Sequence, residues 1–235
     1  MAQVKVIDNF YSNPNVLVEL FSGKYPVVGC GNGKRTVDLR ELDPGLYNKF
    51  CDTIFKVHNL DRKNHHVFTY FTEHVYNPIE VFNHNWVHLD GKNPTLASMT
   101  PDQYRLVLCG QIFMTPNPDP LSNVEICKVR PELNWSTQEL IDRTLMNYTL
   151  PRGQLNSGKI TQEEFEKIHD DYHANFENVC TVNNTYNRMV SWTAGTPHGA
   201  KQTSNMPYRL TQMFFIQSIV PLAQWPGDDI PCMTV

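Results

Sequence analysis

The spacing of apolar residues divides the chain into a partly helical opening, a β-rich stretch, a helical interruption and a return to strands. Val4-Lys5-Val6-Ile7-Asp8 predicts a first strand. Asn13 then stands as an N-cap and Pro14 takes the first helical position. Val16, Leu17, Leu20 and Phe21 share a face, and Gly23 supplies the stop. Residues 24–39 are Gly-rich without a clear period and predict irregular chain. Asp43-Pro44 opens a second helix, in which Leu46, Phe50, Ile54 and Val57 recur at helical spacing.

From His65 the period shortens. Residues 65–76 carry β-branched and aromatic side chains and predict one or two strands. A strand containing His88 follows, then one from Tyr104 to Met114. That strand stops at Thr115-Pro116-Asn117-Pro118-Asp119-Pro120, where the prolines cannot sit inside a sheet. Val124 to Val129 predicts a shorter strand. From about Pro131 to Asn178 the helical period returns. Ser136-Thr137-Gln138-Glu139 and Thr161-Gln162-Glu163-Glu164 are capping boxes, and the second opens a helix with Phe165, Ile168, Tyr172 and Phe176 on one face. Strands resume at Val179–Val182, Arg188–Trp192 and Arg209–Ile216, and the tail after Pro221 is predicted to be irregular. The expectation is a single domain spanning residues 1–235 with a mainly helical insertion at about 131–178. Its class is mainly β, a sandwich or small barrel with flanking N-terminal helices.

Composition narrows the function more than the fold. The chain has 235 residues, 40% hydrophobic and 19% charged, with a formal net charge of −4, so it lacks the basic footprint of a nucleic-acid wrapper. No apolar run is long enough to span a bilayer. The six cysteines, Cys30, Cys51, Cys109, Cys127, Cys180 and Cys232, form no C-x-x-C pair and are scattered like buried thiols. With no charged-then-apolar leader at Met1-Ala2-Gln3-Val4-Lys5, a reducing cytoplasmic setting is expected. In that setting the sequons at Asn134 and Asn147 are read as chance.

The chemistry concentrates at Asn85-Trp86-Val87-His88-Leu89-Asp90-Gly91. Side chains at i and i+2 of a strand point to one face, so the His88 imidazole and the Asp90 carboxylate can share an ion. The best third ligand is His198, in Gly195-Thr196-Pro197-His198-Gly199. Two histidines and a carboxylate on one side of a metal form the facial triad of non-haem Fe(II) oxygenases. Arg209 and Thr211 share one face of a late strand by the same rule, and a guanidinium with a hydroxyl makes a carboxylate receptor. His65, His66 and His74 are expected to be ordinary strand histidines, whereas His84, four residues before His88, is a candidate for the pocket border. His169 and His173 have i,i+4 spacing but lack the glutamate of a helical zinc motif. Trp86, Trp135 and Trp192 are expected as core or pocket wall.

His88-x-Asp90, His198 and Arg209-x-Thr211 together resemble the signature of the Fe(II)- and 2-oxoglutarate-dependent dioxygenases. A wider set of segments is similar to a largely uncharacterised, prolyl-hydroxylase-like family of phages and marine bacteria. These are residues 4–11 with Asn13-Pro14, the His88 motif, residues 110–118, Tyr186-Asn187-Arg188-Met189-Val190, Pro197-His198-Gly199-Ala200 and residues 209–215. The resemblance implies a double-stranded β-helix (jelly-roll, cupin-like) core, with Fe(II) held by His88, Asp90 and His198. It further implies 2-oxoglutarate whose far carboxylate rests on Arg209 and Thr211, with Tyr76 or Tyr104 assisting, and O2 as the other small partner. The implied activity is hydroxylation of an unidentified primary substrate with release of succinate and CO2, in the host cytoplasm if the chain is phage-encoded. Asp90 stands where halogenating relatives have a small residue, which favours hydroxylation. Arg209 stands where prolyl 4-hydroxylases usually have Lys, which argues against peptidyl-proline. Thr115 and Asn123 depart from the usual Asn and Gly. The competing reading is a non-catalytic double-stranded β-helix that binds a ligand or belongs to a virion.

Overall fold

The computed structural model describes residues 3–30, 33–76, 86–90, 105–144, 146–147 and 150–219. The opening follows the sequence pattern: β1 (Val4–Ile7), then α1 (Pro14–Gly23). Asn13 precedes α1 without a side-chain cap; Pro14 at the first turn does the initiating. Residues 24–39 are not irregular. Val27–Cys30 (β2) and Gly33–Thr36 (β3) pair as a hairpin, and Leu39–Leu42 forms a short helix, α2. The glycines that suggested loop serve close packing instead: a Cβ on Gly33 would lie 1.8 Å from the Glu73 carbonyl oxygen. Helix α3 (Pro44–His58) starts at Asp43, whose carboxylate accepts from the Leu46 amide, and ends at Asn59 in the left-handed region, φ 51°.

The remaining elements are β4 (His65–Val75), β5 (Arg105–Phe113), β6 (Asn123–Val129), α4 (Thr137–Thr144), α5 (Leu150–Asn156), α6 (Gln162–His173), β7 (Phe176–Asn183), β8 (Met189–Thr193), β9 (His198–Lys201) and β10 (Tyr208–Ser218). Both capping boxes form, Ser136 with Glu139 and Thr161 with Glu164. Phe176 heads β7, opposite Val129, so the strand starts three residues earlier than the helical pattern suggested. The His88 strand shrinks, among the described residues, to a single antiparallel bridge with His198.

Two antiparallel sheets result. The larger runs β1-β8-β5-β10-β4-β3-β2 and the smaller β7-β6-β9, extended past β9 by the His88 bridge. This is the jelly-roll expected from the sequence. Helices α1 and α3 cover the outer face of the large sheet, where Leu17, Phe21, Phe50 and Ile54 pack on Phe71, Ile112, Leu210, Phe214 and Ile216. Between the sheets lie Cys109, Phe113, Val124, Ile126, Val182, Val190 and Trp192. Elements of 131–173 pack around Trp86 and Val87 through Leu140, Phe165 and Tyr172. Alternation along β10 sends Leu210, Phe214 and Ile216 to the helices and Arg209, Thr211, Met213 and Phe215 inward. On that inner face Arg209 and Thr211 are buried, while Met213 and Phe215 are only half-buried. Among the described residues, burial on this face therefore decreases from Arg209 toward Phe215.

Candidate metal centre and anion pocket

The His88–His198 bridge builds the centre. Each residue's amide donates to the other's carbonyl, at 2.8 and 3.0 Å, and this brings the two imidazoles to 4.4 Å between ring centroids. Both rings are oriented the same way. Nδ1 of His88 lies 3.1 Å from the Trp86 carbonyl, and Nδ1 of His198 lies 2.9 Å from the Thr196 carbonyl. A carbonyl only accepts, so each Nδ1 carries a proton and each Nε2 is the ring nitrogen left to meet a ligand. Asp90, two residues beyond His88, places Oδ2 3.3 Å from Nε2 of His198. One ligand atom from each of the three residues falls within 4.8 Å of the others, and this is the one such cluster among the described residues.

The surroundings favour the ligand forms of these groups. Burial, reinforced by the neighbouring His198, pushes His88 down to about 4, so its imidazole is neutral at pH 7. Oδ2 of Asp90 is buried without a hydrogen bond. The Cys109 thiol, held well above its usual range by burial, hydrogen-bonds the Asp90 carboxylate. Trp192 packs against His198 at 4.5 Å between centroids. A carboxylate whose Oδ2 is buried without a hydrogen bond, beside two imidazoles that turn Nε2 toward it, fits a divalent cation of the borderline-to-hard class.

Farther along the inner face of β10, where burial is greatest, lies the second feature. Arg209 is 4% exposed, and its Nε and Nη1 have no hydrogen-bond partner; Thr211 is fully buried and its Oγ1 has none either. Burial alone lowers Arg209 to about 10, so it remains a cation at pH 7. No carboxylate pairs with it among the described residues. An unpaired buried guanidinium is costly, and a guest anion is the compensation this geometry offers. His74 stands opposite Arg209 in the β4–β10 register. Burial, with the Arg209 and Arg152 charges, holds it at about 3, so it adds no second cation.

The other sequence candidates separate clearly. Tyr76 lies just beyond β4, its amide donating to the Pro207 carbonyl. Tyr104 and His84 fall outside the described residues. Nδ1 of His65 meets the Asp61 carbonyl, and His66 meets Arg40. His169 and His173 stack at 5.3 Å, with His169 also against Trp86. Sequence reasoning passed over Gln111, Cys109 and Tyr70. All three lie on inward positions of β5 or β4, which the period-2 rule applied to Arg209 would have located.

No family model matches the chain, and no curated protein matches it. Solved structures do. HygX from Streptomyces hygroscopicus, with nickel, 2-oxoglutarate and hygromycin B bound, is 12% identical at a TM-score of 0.52, covering 92% of this chain and 82% of HygX. HygX with nickel and 2-oxoglutarate gives 13% identity and a TM-score of 0.51 over the same shares. EvdO2 from Micromonospora carbonacea var. aurantiaca is 9% identical at a TM-score of 0.49, covering 96% of this chain and 89% of that one. What the chain shares with HygX is the fold, a double-stranded β-helix across nearly its whole length.

Proposed function

We propose that this protein is an Fe(II)- and 2-oxoglutarate-dependent oxygenase that hydroxylates a primary substrate and releases succinate and CO2. The observation that carries this reading is the unpartnered Arg209–Thr211 pair, buried in the same interior as the His88, Asp90 and His198 cluster. A metal cluster alone fits many proteins. A metal cluster with a buried, uncompensated dicarboxylate anchor fits few. HygX, which shares the fold, binds nickel and 2-oxoglutarate.

In this reading His88, Asp90 and His198 hold the metal, and Arg209 with Thr211 holds the far carboxylate of 2-oxoglutarate. Bound Fe(II), with 2-oxoglutarate and O2, supplies oxidative C–H chemistry coupled to decarboxylation. The chain's own tasks are positional. The Trp86 and Thr196 carbonyls fix the histidine tautomers, and the Cys109 thiol steadies the Asp90 carboxylate. Phe68, Tyr70 and Phe215 form a half-buried aromatic wall, with Tyr70 stacked on Phe215 at 6.3 Å, that limits water on the open side. We also take the chain as one oxygenase domain with a helical insertion in a reducing compartment.

The test is spectroscopic and then chemical. Anaerobic protein given Fe(II) and 2-oxoglutarate should develop a weak visible charge-transfer band, and admission of air should release succinate. Asp90→Ala should abolish both. Protein that binds Fe(II) yet shows neither signal would instead be a non-catalytic β-helix.

A further inference from the structure

A third unpartnered donor lies between the two features. Gln111 is 2% exposed, and its Nε2 is buried without a hydrogen bond. On β5 it alternates with Cys109 and Phe113, all three facing the interior. The registers place it closely. Cys109, whose thiol meets Asp90, pairs with Phe215; Gln111 pairs with Met213; Phe113 pairs with Thr211. The amide therefore stands about 7 Å along the strand from the metal-ligand level and about 7 Å from the Thr211 level. On the other side it faces Val190 of β8, which offers no acceptor side chain.

Leaving a buried amide donor unmet is unfavourable, and most such groups in folded proteins are paired. A donor account of the guest shows what it lacks. In the reading above, Nε and Nη1 of Arg209 and Oγ1 of Thr211 serve the far carboxylate. A 2-oxo acid that chelates a metal uses its keto oxygen and one oxygen of its 1-carboxylate, which leaves the other oxygen charged and unmatched. We infer that Gln111 donates Nε2–H to that free 1-carboxylate oxygen and so sets the orientation of the chelated 2-oxo-acid group. Gln111 is thus a cosubstrate-binding residue for the metal-bound end, complementary to Arg209 at the far end. This inference rests on the 2-oxoglutarate reading above.

The experiment measures binding and not turnover. Mn(II)-loaded wild type, Gln111→Leu and Gln111→Glu are titrated calorimetrically with 2-oxoglutarate and with 2-oxovalerate, which keeps the 2-oxo-acid end and lacks the far carboxylate. Gln111→Leu removes the donor at similar volume, and Gln111→Glu sets a carboxylate against the carboxylate. The expected result is a loss of roughly tenfold or more in affinity for both ligands in both variants, with Mn(II) affinity unchanged. If Gln111→Leu loses affinity for 2-oxoglutarate but not for 2-oxovalerate, the amide serves the far end and the inference fails. Unchanged affinity for both ligands overturns it as well. Should one variant not fold, the other decides by the same comparison. Failure of wild type to bind 2-oxoglutarate would sink the underlying cosubstrate reading instead.

Discussion

A guanidinium that is 4% exposed and lacks a partner is the costliest residue in this interior. Two opposite effects follow from replacing it. Arg209→Met should stabilise the ligand-free protein by about 1–3 kcal/mol, because a buried lone charge gives way to an apolar side chain. The same variant should lose more than tenfold in 2-oxoglutarate affinity, since truncating one partner of a buried charged pair costs ~2–5 kcal/mol, while Mn(II) affinity is retained. Thermal denaturation and calorimetry read the two effects separately. A variant that melts lower and binds 2-oxoglutarate as before would remove Arg209 from the anchor role. Cys109 gives a second prediction at this scale. Cys109→Val should weaken Mn(II) binding by ~10-fold or more, as loss of a group that orients a ligand does, and Cys109→Ser should preserve it. The residues of the candidate site differed in legibility. His88-x-Asp90 and Arg209-x-Thr211 could be read because i,i+2 geometry is local. His198 could be named only as the best downstream candidate, because the bridge that brings it to His88 joins distant segments. Gln111 was missed because its inward face gains meaning only from the β5–β10 register.

The elements differ in what they need from the rest of the chain. Both helical starts and both capping boxes were legible, since caps depend on residues within one turn. Thr161→Ala should therefore cost about 1 kcal/mol in urea unfolding, with ligand affinities unchanged. The β2–β3 hairpin was missed because its glycines read as loop, whereas Gly33 is set by the Glu73 carbonyl of another strand. Gly33→Ala should consequently lower the thermal midpoint well beyond the few degrees typical of a surface change, and Gly33→Val further still. A midpoint unchanged in both variants would mean that the hairpin is not seated on β4. The early start of β7 has a similar origin. Phe176 follows Tyr172 at helical spacing, and pairing with Val129 overrides that local preference.

At the scale of the molecule, the count and spacing of strands made a mainly β sandwich or small barrel legible and the motif resemblance narrowed it to a jelly-roll, but the division into two sheets was not legible. β10 joins β4 and β5 across about a hundred residues or more, and such pairings leave no local mark. No helix among the described residues is long and apolar enough to cross a membrane. The buried histidines set the acid response of the whole fold. Burial of His58, with Lys5 nearby, lowers it to about 4 from the ordinary 6.5, and its Nε2 lies 3.3 Å from the Ser191 hydroxyl. The unfolded chain therefore takes up this proton first. Stability should be flat above pH 6.5, fall as pH drops from 6.5 to 4 with a slope of up to ~1.4 kcal/mol per unit for this group, and level off below. Urea midpoints across that range check it, and His58→Gln should flatten the slope by about one proton's worth. The burial gradient along β10, from buried Arg209 to half-buried Phe215, has a consequence for selectivity. In the proposed function Arg209 and the chelating triad, held a fixed distance apart, should act as a ruler that selects acids by chain length. An acid one methylene longer than 2-oxoglutarate must buckle or lift off the metal, and a shorter one cannot touch both ends at once.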